Sequence, residues 1–442
     1  MKTRRDFIKS TAMIGAGLSI LKPSLSFAET QPKKVKLGII GVGLRGQSHL
    51  SLIMKRNDVE LVAICDVQQR MMHMSMEMID KMKYPMPQMF LDGPYGYRKL
   101  LEIEDLDAVI IATPWEWHKI MCVDAMKAKK YTACEVITGM TVEECWELVK
   151  TSEETGIPMM MLENVCYRRD VMAVLNMVRQ NVFGELIHLQ GGYQHDLRGV
   201  KFNDGITAYN SGVEFGENSF SEAQWRTAHS VTRNGDLYPT HGIGPLAMMT
   251  NINRGNRFTK LVSYASKSRG LHEYIVNKGG ANHPNAKVNF KLGDVITTMI
   301  QTHNGETILL QHDTNLPRPY SLGFRVQGTN GLWMDINKSI YIEGISPQHQ
   351  WEDAKPWLEK YDSPRWRQDG DKTIDAGHDG MDWFVINDFI EAVKSRTKPP
   401  QDVYDAVTWS AITPLSELSL QQGGCSVDFP DFTNGKWSER RN

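Results

Sequence analysis

The sequence predicts an α/β fold in which a doubly wound parallel sheet is followed by an α+β domain with an open, mostly antiparallel sheet. Three observations lead to this prediction. A short strand pattern near residue 35 runs into a glycine-rich turn and a helical pattern. Strand and helix patterns then alternate as far as residue 165, and strand patterns follow one another from residue 260 onward. The predicted domains are residues 34–165 and 166–442, with C-terminal helices closing the second.

The first element has the spacing of a nucleotide-binding turn. Val35–Ile40 is an apolar run that stops at GVGLRG, residues 41–46, and residues 47–54 have helical spacing. Gly41 permits a tight turn, Gly43 allows backbone to approach a pyrophosphate, and Gly46 lets the helix pack closely on the strand. These features predict a Rossmann-type dinucleotide site. The alternative is a glycine turn that merely connects two elements.

The second strand ends in an acid. Val59–Cys65 is followed by Asp66, which lies 20 residues after Gly46. A carboxylate at this distance accepts hydrogen bonds from the adenosine ribose hydroxyls, and it repels the 2′-phosphate of NADP. The sequence therefore predicts NAD as the cofactor.

The rest of the first half alternates in the same way. Residues 71–89 are amphipathic and methionine-rich, 107–113 is a buried-type strand, 125–130 is helical, 132–136 is a strand, 141–156 is a helix with a capping box at Thr141 and Glu144, and 158–164 is a strand. Ligands of open α/β sheets bind beyond the carboxyl ends of the strands. We therefore expect the loop TPWEWH, residues 113–118, to border the cofactor, although Trp115 and Trp117 would also suit hydrophobic packing.

The second half has a different order of predicted helices and strands. A helix at 167–180 and a strand at 184–194 precede predicted strands at 261–266, 288–291, 295–303, 307–312, 322–328 and 332–336. Asn304-Gly305 predicts a hairpin because alternating residues flank it on both sides. Residues 349–372 are polar and bear tryptophans, which indicates an ordered excursion, and residues 382–394 and 403–421 are predicted helices.

Composition excludes several classes of protein. The chain has 442 residues, 41% hydrophobic and 23% charged, with a formal net charge of -2, which is typical of a soluble globular protein and gives no sign of a nucleic-acid partner. Six cysteines lack any CxxC spacing and there is no HExxH motif, so no metal is expected and buried free thiols are favoured over disulfides. We expect a small-molecule or glycan substrate and no membrane partner, and homo-oligomerisation stays open.

The N-terminus has the pattern of an export signal. Arg4-Arg5 precedes a short apolar stretch at 11–21 and then Ser26-Phe27-Ala28, which predicts a twin-arginine signal peptide over residues 1–28; a disordered basic tail is the alternative. The mature protein would then be periplasmic or extracellular and would carry its nucleotide out of the cytoplasm. Because free NAD is not dependably available there, the cofactor must be regenerated in place or must not be consumed at all.

Several runs resemble a known family. The glycine turn, the TPxxxH run at 113–118 and the open sheet domain resemble the glucose-fructose oxidoreductase and inositol dehydrogenase superfamily. Within it, the chain looks like glycoside hydrolase family 109, whose known activity is α-N-acetylgalactosaminidase. The resemblance rests on the runs at 41–47, 115–118, 163–170, 192–196 and 237–242. Ordinary dehydrogenases of the superfamily have Glu-Lys-Pro after the fifth strand, whereas this chain has Glu135-Val136-Ile137, as the hydrolase family does. Without that lysine, ordinary polyol dehydrogenation is in doubt.

The resemblance also implies the site residues. Besides the glycine turn, the implied NAD contacts are Leu44, Arg45, Asp66, Trp115, Trp117, His118, Glu135, Val136 and Asn164. The implied sugar contacts are Tyr193, Arg226, Tyr238, Pro239, Thr240, His241 and Tyr320.

Three residues are the predicted catalytic groups. His241 is our first choice for proton transfer, because an imidazole titrates near neutrality and the YPTHG setting is not an apolar periodic face. Tyr238 and Tyr193 are predicted partners of a sugar hydroxyl or carbonyl, with simple packing as the alternative. We interpret His195, His312 and His378 as structural.

The resemblance implies hydrolysis through transient oxidation, a route distinct from paired carboxylates. Hydride leaves C3 of the sugar for NAD, a base removes the acidified C2 proton, elimination expels the group at C1, water adds, and NADH returns the hydride. The cofactor is not consumed, which suits an exported enzyme. Two alternatives stay open: an exported sugar oxidoreductase that keeps its NAD, and a non-catalytic sugar-binding protein.

Overall fold

Two sheets organise the part of the chain that the structure describes. In this computed structural model, residues 34–440 are described. The predicted signal peptide at 1–28 lies outside them. The buried side chains of both sheets and their helices form one continuous hydrophobic core, with two smaller clusters beside it.

The first sheet is parallel, with strand order β3-β2-β1-β4-β5-β6. Its strands are β1 (Val35–Ile40), β2 (Val59–Cys65), β3 (Gln88–Phe90), β4 (Ala108–Ile111), β5 (Tyr131–Cys134) and β6 (Met159–Met161). The helices between them are α1 (Leu44–Met54), α2 (Gln69–Lys81), α3 (Tyr97–Leu101), α4 (Trp115–Lys127) and α5 (Val142–Thr155). The order of strands reverses between β1 and β4, which is the point at which ligands bind in such sheets. The doubly wound prediction is confirmed.

The second sheet is mixed, with strand order β14-β13-β12-β11-β7-β10-β9-β8-β15. Its strands are β7 (Leu186–Gln194), β8 (Phe258–Ala265), β9 (Val295–Thr302), β10 (Thr307–Asp313), β11 (Arg325–Gly328), β12 (Gly331–Met334), β13 (Ser339–Ile342), β14 (Glu352–Asp353) and β15 (Val427–Asp428). Among these described strands, β7 and β10 pair in parallel and the other pairs are antiparallel. The prediction of a mostly antiparallel sheet is confirmed, as is the hairpin at Asn304-Gly305, which joins β9 to β10.

Some helices of the second half pack against this sheet, and others pack against the first sheet. They are α6 (Arg169–Arg179), α7 (Arg198–Lys201), α8 (Arg226–Thr232), α9 (Thr240–Met249), α10 (Gly270–Gly279), α11 (Lys355–Lys360), α12 (Pro364–Asp369), α13 (Met381–Ser395), α14 (Val403–Ser410) and α15 (Ile412–Gln421). None of the described helices combines the length and apolar composition needed to cross a membrane.

Some predicted elements are wrong. Residues 113–118 are not a loop throughout, because α4 begins at Trp115. The run 288–291 forms no strand; Phe290 instead packs into a side cluster with no neighbouring strand to pair with. Helix α10 interrupts the strands, with Leu271, Tyr274 and Ile275 buried at helical spacing. The predicted helix at 403–421 is divided at Ala411 into α14 and α15.

Candidate active site

A cavity of about 580 Å³ lies at the carboxyl ends of the parallel strands and reaches the end of β7. The side chains and turns that form its wall include most of the predicted site residues. These are Gly41, Gly43, Leu44, Arg45, Asp66, Trp115, Trp117, His118, Glu135, Val136, Asn164, Tyr193, Arg226, Tyr238 and His241. The predicted NAD contacts and the predicted sugar contacts therefore face one space, although they come from both sheets.

Four predicted residues are not part of this wall. A Cβ atom at Gly46 would lie 2.0 Å from the Gly41 carbonyl oxygen, so Gly46 serves the packing of α1 against the turn. Thr240 is fully buried, and Pro239 precedes α9. Tyr320 is half exposed and its ring lies 4.9 Å from that of His195, between centroids. The assignment of Pro239, Thr240 and Tyr320 as substrate contacts stays a prediction, as does that of Gly46 as a cofactor contact.

The glycine turn has the shape that a pyrophosphate requires. Gly41 has φ +88°, in the region that favours glycine, and a Cβ atom added at Gly43 would meet nothing within 4 Å. The N-terminus of α1 has no side-chain cap, which leaves backbone N–H groups for an anion. The turn therefore fits the phosphates of a dinucleotide.

Asp66 is held in place at the end of β2. Its carboxylate accepts hydrogen bonds from the backbone N–H groups of Val42 and Gln68, each at 2.8 Å. Burial raises the pKa of Asp66 above its ordinary value, while the backbone hydrogen bonds oppose that shift. The carboxylate is thus fixed beside the turn, where a ribose hydroxyl would donate to it.

Arg45 joins the two halves of the site through buried charges. Its Nε donates to Glu135 at 2.6 Å, and its Nη1 and Nη2 donate to Asp382 at 2.6 and 3.0 Å. Asn164 also donates to Asp382, at 2.7 Å, and His49 Nε2 lies 2.7 Å from Glu135. Burial alone would raise the pKa of Glu135, but Arg45 and His49 outweigh it and hold that pKa well below the usual range. Glu135 is therefore a fixed anion at neutral pH and not a proton donor.

Three rings surround the other end of the cavity. The centroids of Tyr193 and Tyr238 lie 4.6 Å apart, those of Tyr238 and His241 4.9 Å, and those of Tyr193 and His241 5.2 Å. They meet because α9 crosses β7 closely: a Cβ atom at Gly242 would lie 2.5 Å from the Gly192 nitrogen. Burial raises the pKa of both tyrosines, so each is a neutral phenol that can donate a hydrogen bond.

His241 has a buried carboxylate as its partner. Its Nδ1 lies 2.8 Å from the carboxylate of Glu163, a residue with 0% exposure. The same carboxylate accepts the Val165 N–H, and the Glu163 backbone is hydrogen-bonded to the Gln401 side chain. A carboxylate on Nδ1 places the ring proton there and leaves Nε2 as the atom that takes up a proton. The pair has the arrangement of a general base with an orienting acid.

Arg226 supplies a cation beside the rings. It begins α8, its Nε donates to Glu222 at 2.6 Å, and its guanidinium carbon lies 5.0 Å from the Trp115 ring centre and 5.5 Å from that of Tyr238. Burial lowers the pKa of Arg226, but Glu222 and the neighbouring phenols raise it above the ordinary value. This end of the cavity therefore carries a permanent positive charge.

The sequence reasoning missed several residues. Glu163 and Asp382 were not selected, although Glu163 begins the run that resembles the family. His195 and His378, interpreted as structural, line the cavity, and His195 Nδ1 lies 3.0 Å from the Tyr193 hydroxyl. His312 is buried, pairs with Tyr193 in the register of β7 and β10, and burial lowers its pKa to about 3. The i, i+4 spacing of His378 and Asp382 was the available signal for that pair.

Among the described residues of the cavity wall there is neither a disulfide nor a group of metal ligands. Cys65 lines it at the nucleotide end, and burial raises the pKa of that thiol to about 12. All six cysteines are free, and all except Cys425 are buried. Within residues 34–440, no three His, Cys, Asp or Glu side chains are grouped as metal ligands.

Comparisons with known proteins agree with this arrangement. A family model described as "Glycosyl hydrolase 109, C-terminal domain" matches residues 167–439, and one described as "Oxidoreductase family, NAD-binding Rossmann fold" matches residues 35–162. A glycosyl hydrolase family 109 protein of Stenotrophomonas maltophilia is 55% identical, covering 99% of this chain and 97% of its own. An alpha-N-acetylgalactosaminidase of Tannerella forsythia is 50% identical, covering 99% of this chain and 98% of its own.

Solved structures show the same fold at low sequence identity. A levoglucosan dehydrogenase in complex with NADH and L-sorbose has a TM-score of 0.66 and 18% identity, covering 90% of this chain and 100% of its own. A myo-inositol 2-dehydrogenase from Lactobacillus plantarum has a TM-score of 0.62 and 15% identity, with coverage of 90% and 100%. This similarity shows the fold and not the reaction.

Proposed function

This chain belongs to glycosyl hydrolase family 109, and we propose that it hydrolyses terminal α-N-acetylgalactosaminides by transient oxidation of the sugar. It is an NAD-dependent glycoside hydrolase; the proposal adds the substrate and the route. Similar proteins of Tannerella forsythia and Shewanella oneidensis are named alpha-N-acetylgalactosaminidase. The observation that carries the proposal is that one cavity joins the glycine turn to the cluster of Tyr193, Tyr238 and His241.

The carboxyl groups of the cavity wall do not fit the alternative mechanism of glycoside hydrolysis, in which two carboxyl groups act on the glycosidic bond. That route needs a protonated carboxylic acid and a second carboxylate on either side of the glycosidic bond. Among the described wall residues, Glu135 is held ionised by Arg45, Glu222 is paired with Arg226, and Asp66 is bound by backbone N–H groups at the nucleotide end. No wall carboxyl group at the sugar end is thus placed as a free acid, which favours proton transfer by His241.

The cofactor would be held by the turn at 41–46 and by Asp66. NAD supplies, when bound, a reversible acceptor for the hydride at C3 of the sugar. The described wall contains no lysine, so the C3 oxygen is hydrogen-bonded by Tyr193 and Tyr238. As the hydride leaves C3, the hydroxyl proton passes through the Tyr193 hydroxyl to His195 Nδ1, which lies 3.0 Å from it, and the proton returns by the same path when the hydride does.

His241 performs the proton transfer at C2. Its Nε2 takes the proton, and Glu163 stabilises the imidazolium that forms. Arg226 stabilises the negative charge that develops on the sugar when this proton leaves. The imidazolium exchanges its proton with solvent and protonates C2 after water has added at C1. Because the hydride acceptor is reversible, the complete cycle leaves no net oxidation.

The test is hydrolysis of p-nitrophenyl α-N-acetylgalactosaminide in deuterated water without added NAD. We expect release of nitrophenol and incorporation of deuterium at C2 of the released sugar, read by mass spectrometry. Release without any deuterium at C2 would contradict the oxidative route. Accumulation of an oxidised sugar would instead indicate an oxidoreductase, and binding without turnover would indicate a sugar-binding protein.

A further inference from the structure

A segment of the second domain reaches across to the nucleotide side of the first. Arg70, at the start of α2, donates from Nη2 to the Ile206 carbonyl at 2.8 Å, and its guanidinium carbon lies 3.6 Å from the centre of the Phe220 ring. The Gln68 side-chain amide donates to the Gln224 side chain at 2.6 Å. Gln68 and Arg70, just after Asp66 in the sequence, therefore contact residues 206–224, which are more than 130 positions away.

Hydrogen bonds within this segment also hold distant parts of it together. The Asn203 side-chain amide donates to the Phe220 carbonyl at 2.7 Å, and its oxygen accepts the N–H groups of Gly205 and Phe220 at 2.9 and 3.0 Å. The backbones of Asn203 and Glu214 also exchange a pair of hydrogen bonds. One side chain thus links two positions of the segment that are 17 apart in the sequence.

The same segment forms part of the cavity wall. Tyr209, Ser221 and Glu222 line the cavity from this side, while Val67 and Gln68 line it from the end of β2. Because Asp66 marks the adenosine ribose in a Rossmann site, the segment faces the nucleotide half before it continues to Arg226 at the sugar half.

We propose that residues 203–226, here called the clasp, hold bound NAD in the cavity, with Arg70 and Gln224 as its fastening residues. This inference rests on the proposed function, in which the cofactor regains its original state in every turnover. Slow release of NAD therefore costs nothing in rate. Breaking the fastening contacts should act mainly on the dissociation rate, because neither Arg70 nor Gln224 is itself part of the cavity wall.

The experiment measures exchange of bound NAD for isotopically labelled NAD in the absence of sugar. Purified protein is loaded with NAD, freed of excess, and mixed with labelled NAD; protein is then denatured at intervals and the released nucleotide is analysed by mass spectrometry. We expect the double variant Arg70→Ala, Gln224→Ala to exchange about tenfold faster than the wild type, since it loses a charged hydrogen bond, a cation–π contact and an amide hydrogen bond. Arg70→Lys, which keeps the charge but not the forked geometry, should give a smaller acceleration.

The matched control is Arg56→Ala. Arg56 also links the two domains, through Asn387 at 3.2 Å, but it lies at the opposite end of β2, away from the cavity. Its exchange rate should equal that of the wild type, and unfolding midpoints measured for all variants identify any that are simply unstable.

The outcomes separate the two proposals. Fastening variants that exchange NAD at the wild-type rate overturn the clasp, even if the wild type hydrolyses the glycoside. Slow exchange in the wild type and fast exchange in the variants support the clasp, even if no glycoside is cleaved, in which case the proposed function fails alone. Equal acceleration by Arg56→Ala also overturns the clasp, because the effect would then be one of general stability.

Discussion

The surroundings of Tyr193, Tyr238 and His241 fix which of their atoms carry protons. Burial keeps Tyr193 and Tyr238 as neutral phenols, and Glu163 fixes which nitrogen of His241 carries the proton. Arg45 does the same for Glu135 by holding it ionised. Glu163 thus orients His241 beside two neutral phenols.

The first prediction concerns the pair of His241 and Glu163. His241→Ala should lower the rate of hydrolysis by about 100-fold or more, the range expected for loss of a general base, and should lower deuterium exchange at C2 in parallel. Glu163→Gln keeps the shape but removes the charge, so we expect a smaller loss of about tenfold, together with a changed pH profile of kcat. NAD content should be unaffected in both variants.

His73→Ala is the control for that prediction. His73 is an exposed histidine beside Glu77, with Nδ1 3.4 Å from its carboxylate, so it reproduces the pairing without the cavity. Its rate should match the wild type. Glu163→Gln with an unchanged pH profile would show that the carboxylate does not act through the imidazole.

The second prediction concerns the pH dependence of stability at Asp236. This carboxyl group is buried, accepts the Tyr238 N–H at 3.2 Å, and burial raises its pKa from 3.8 to about 7. A raised carboxyl pKa stabilises the fold fully below the ordinary value, and that contribution is lost as the pH rises through the folded value. Asp236→Asn should therefore match the wild type near pH 4 and exceed it by roughly 2–4 kcal/mol above pH 7. Urea unfolding at several pH values measures the difference, and a constant difference would contradict the assignment.

At the scale of elements, close contacts between a strand and a helix position the residues of the candidate site. The turn between β1 and α1 combines a positive φ at Gly41, open space at Gly43 and close packing at Gly46. Between β7 and α9, the facing glycines Gly192 and Gly242 allow the approach that brings Tyr193 to His241. In both units, glycine is required because backbone or ligand must come where a side chain would be.

The third prediction distinguishes two glycines of one turn. A methyl group at Gly43 meets no protein atom, so Gly43→Ala should fold with less than about 1 kcal/mol change but should lose at least tenfold in NAD affinity. A methyl group at Gly46 would lie 2.0 Å from the Gly41 oxygen, so Gly46→Ala should cost about 1–3 kcal/mol or more of stability. Calorimetric titration and urea unfolding check the two effects. Equal loss of stability in both variants would contradict the distinction.

At the scale of the whole molecule, the site lies where the two domains meet. Arg45 on α1 binds Asp382 on α13, the clasp contacts Gln68 and Arg70, and His241 and Tyr193 come from the second half of the chain. The glycine turn and the cluster of Tyr193, Tyr238 and His241 therefore face one cavity only when both halves of the chain are folded together. Cofactor, base and hydroxyl partners are available together only in the folded chain.

The fourth prediction concerns the compartment. We propose that residues 1–28 direct export by the twin-arginine route, which transports folded proteins with their cofactors. Replacing Arg4 and Arg5 by lysine should keep the protein in the cytoplasm, as measured by cell fractionation, whereas Lys33→Arg, outside the motif, should leave export unchanged. Wild-type protein found only in the cytoplasm would contradict the proposal.

Much of the fold was predictable because it is encoded locally. Alternating or continuous apolar runs identify most strands, and the spacing of Gly41, Gly43, Gly46 and Asp66 identifies the nucleotide turn without any knowledge of the rest. Errors arose where local patterns were ambiguous: the short apolar run at 288–291 resembles a strand but has no neighbour to pair with, and the apolar spacing at 270–279 was missed.

The sequence by itself determined the dinucleotide turn, a parallel sheet followed by a mostly antiparallel one and, through long similar runs, the family. Only the tertiary structure decided which groups are partners: Glu163 with His241, Arg45 with Asp382 337 positions away, and Gln68 with Gln224 156 positions away. The physical reason is that local spacing sets the conformation of a segment, whereas contacts between distant residues depend on strand order and helix packing, which leave no periodic signal in the sequence.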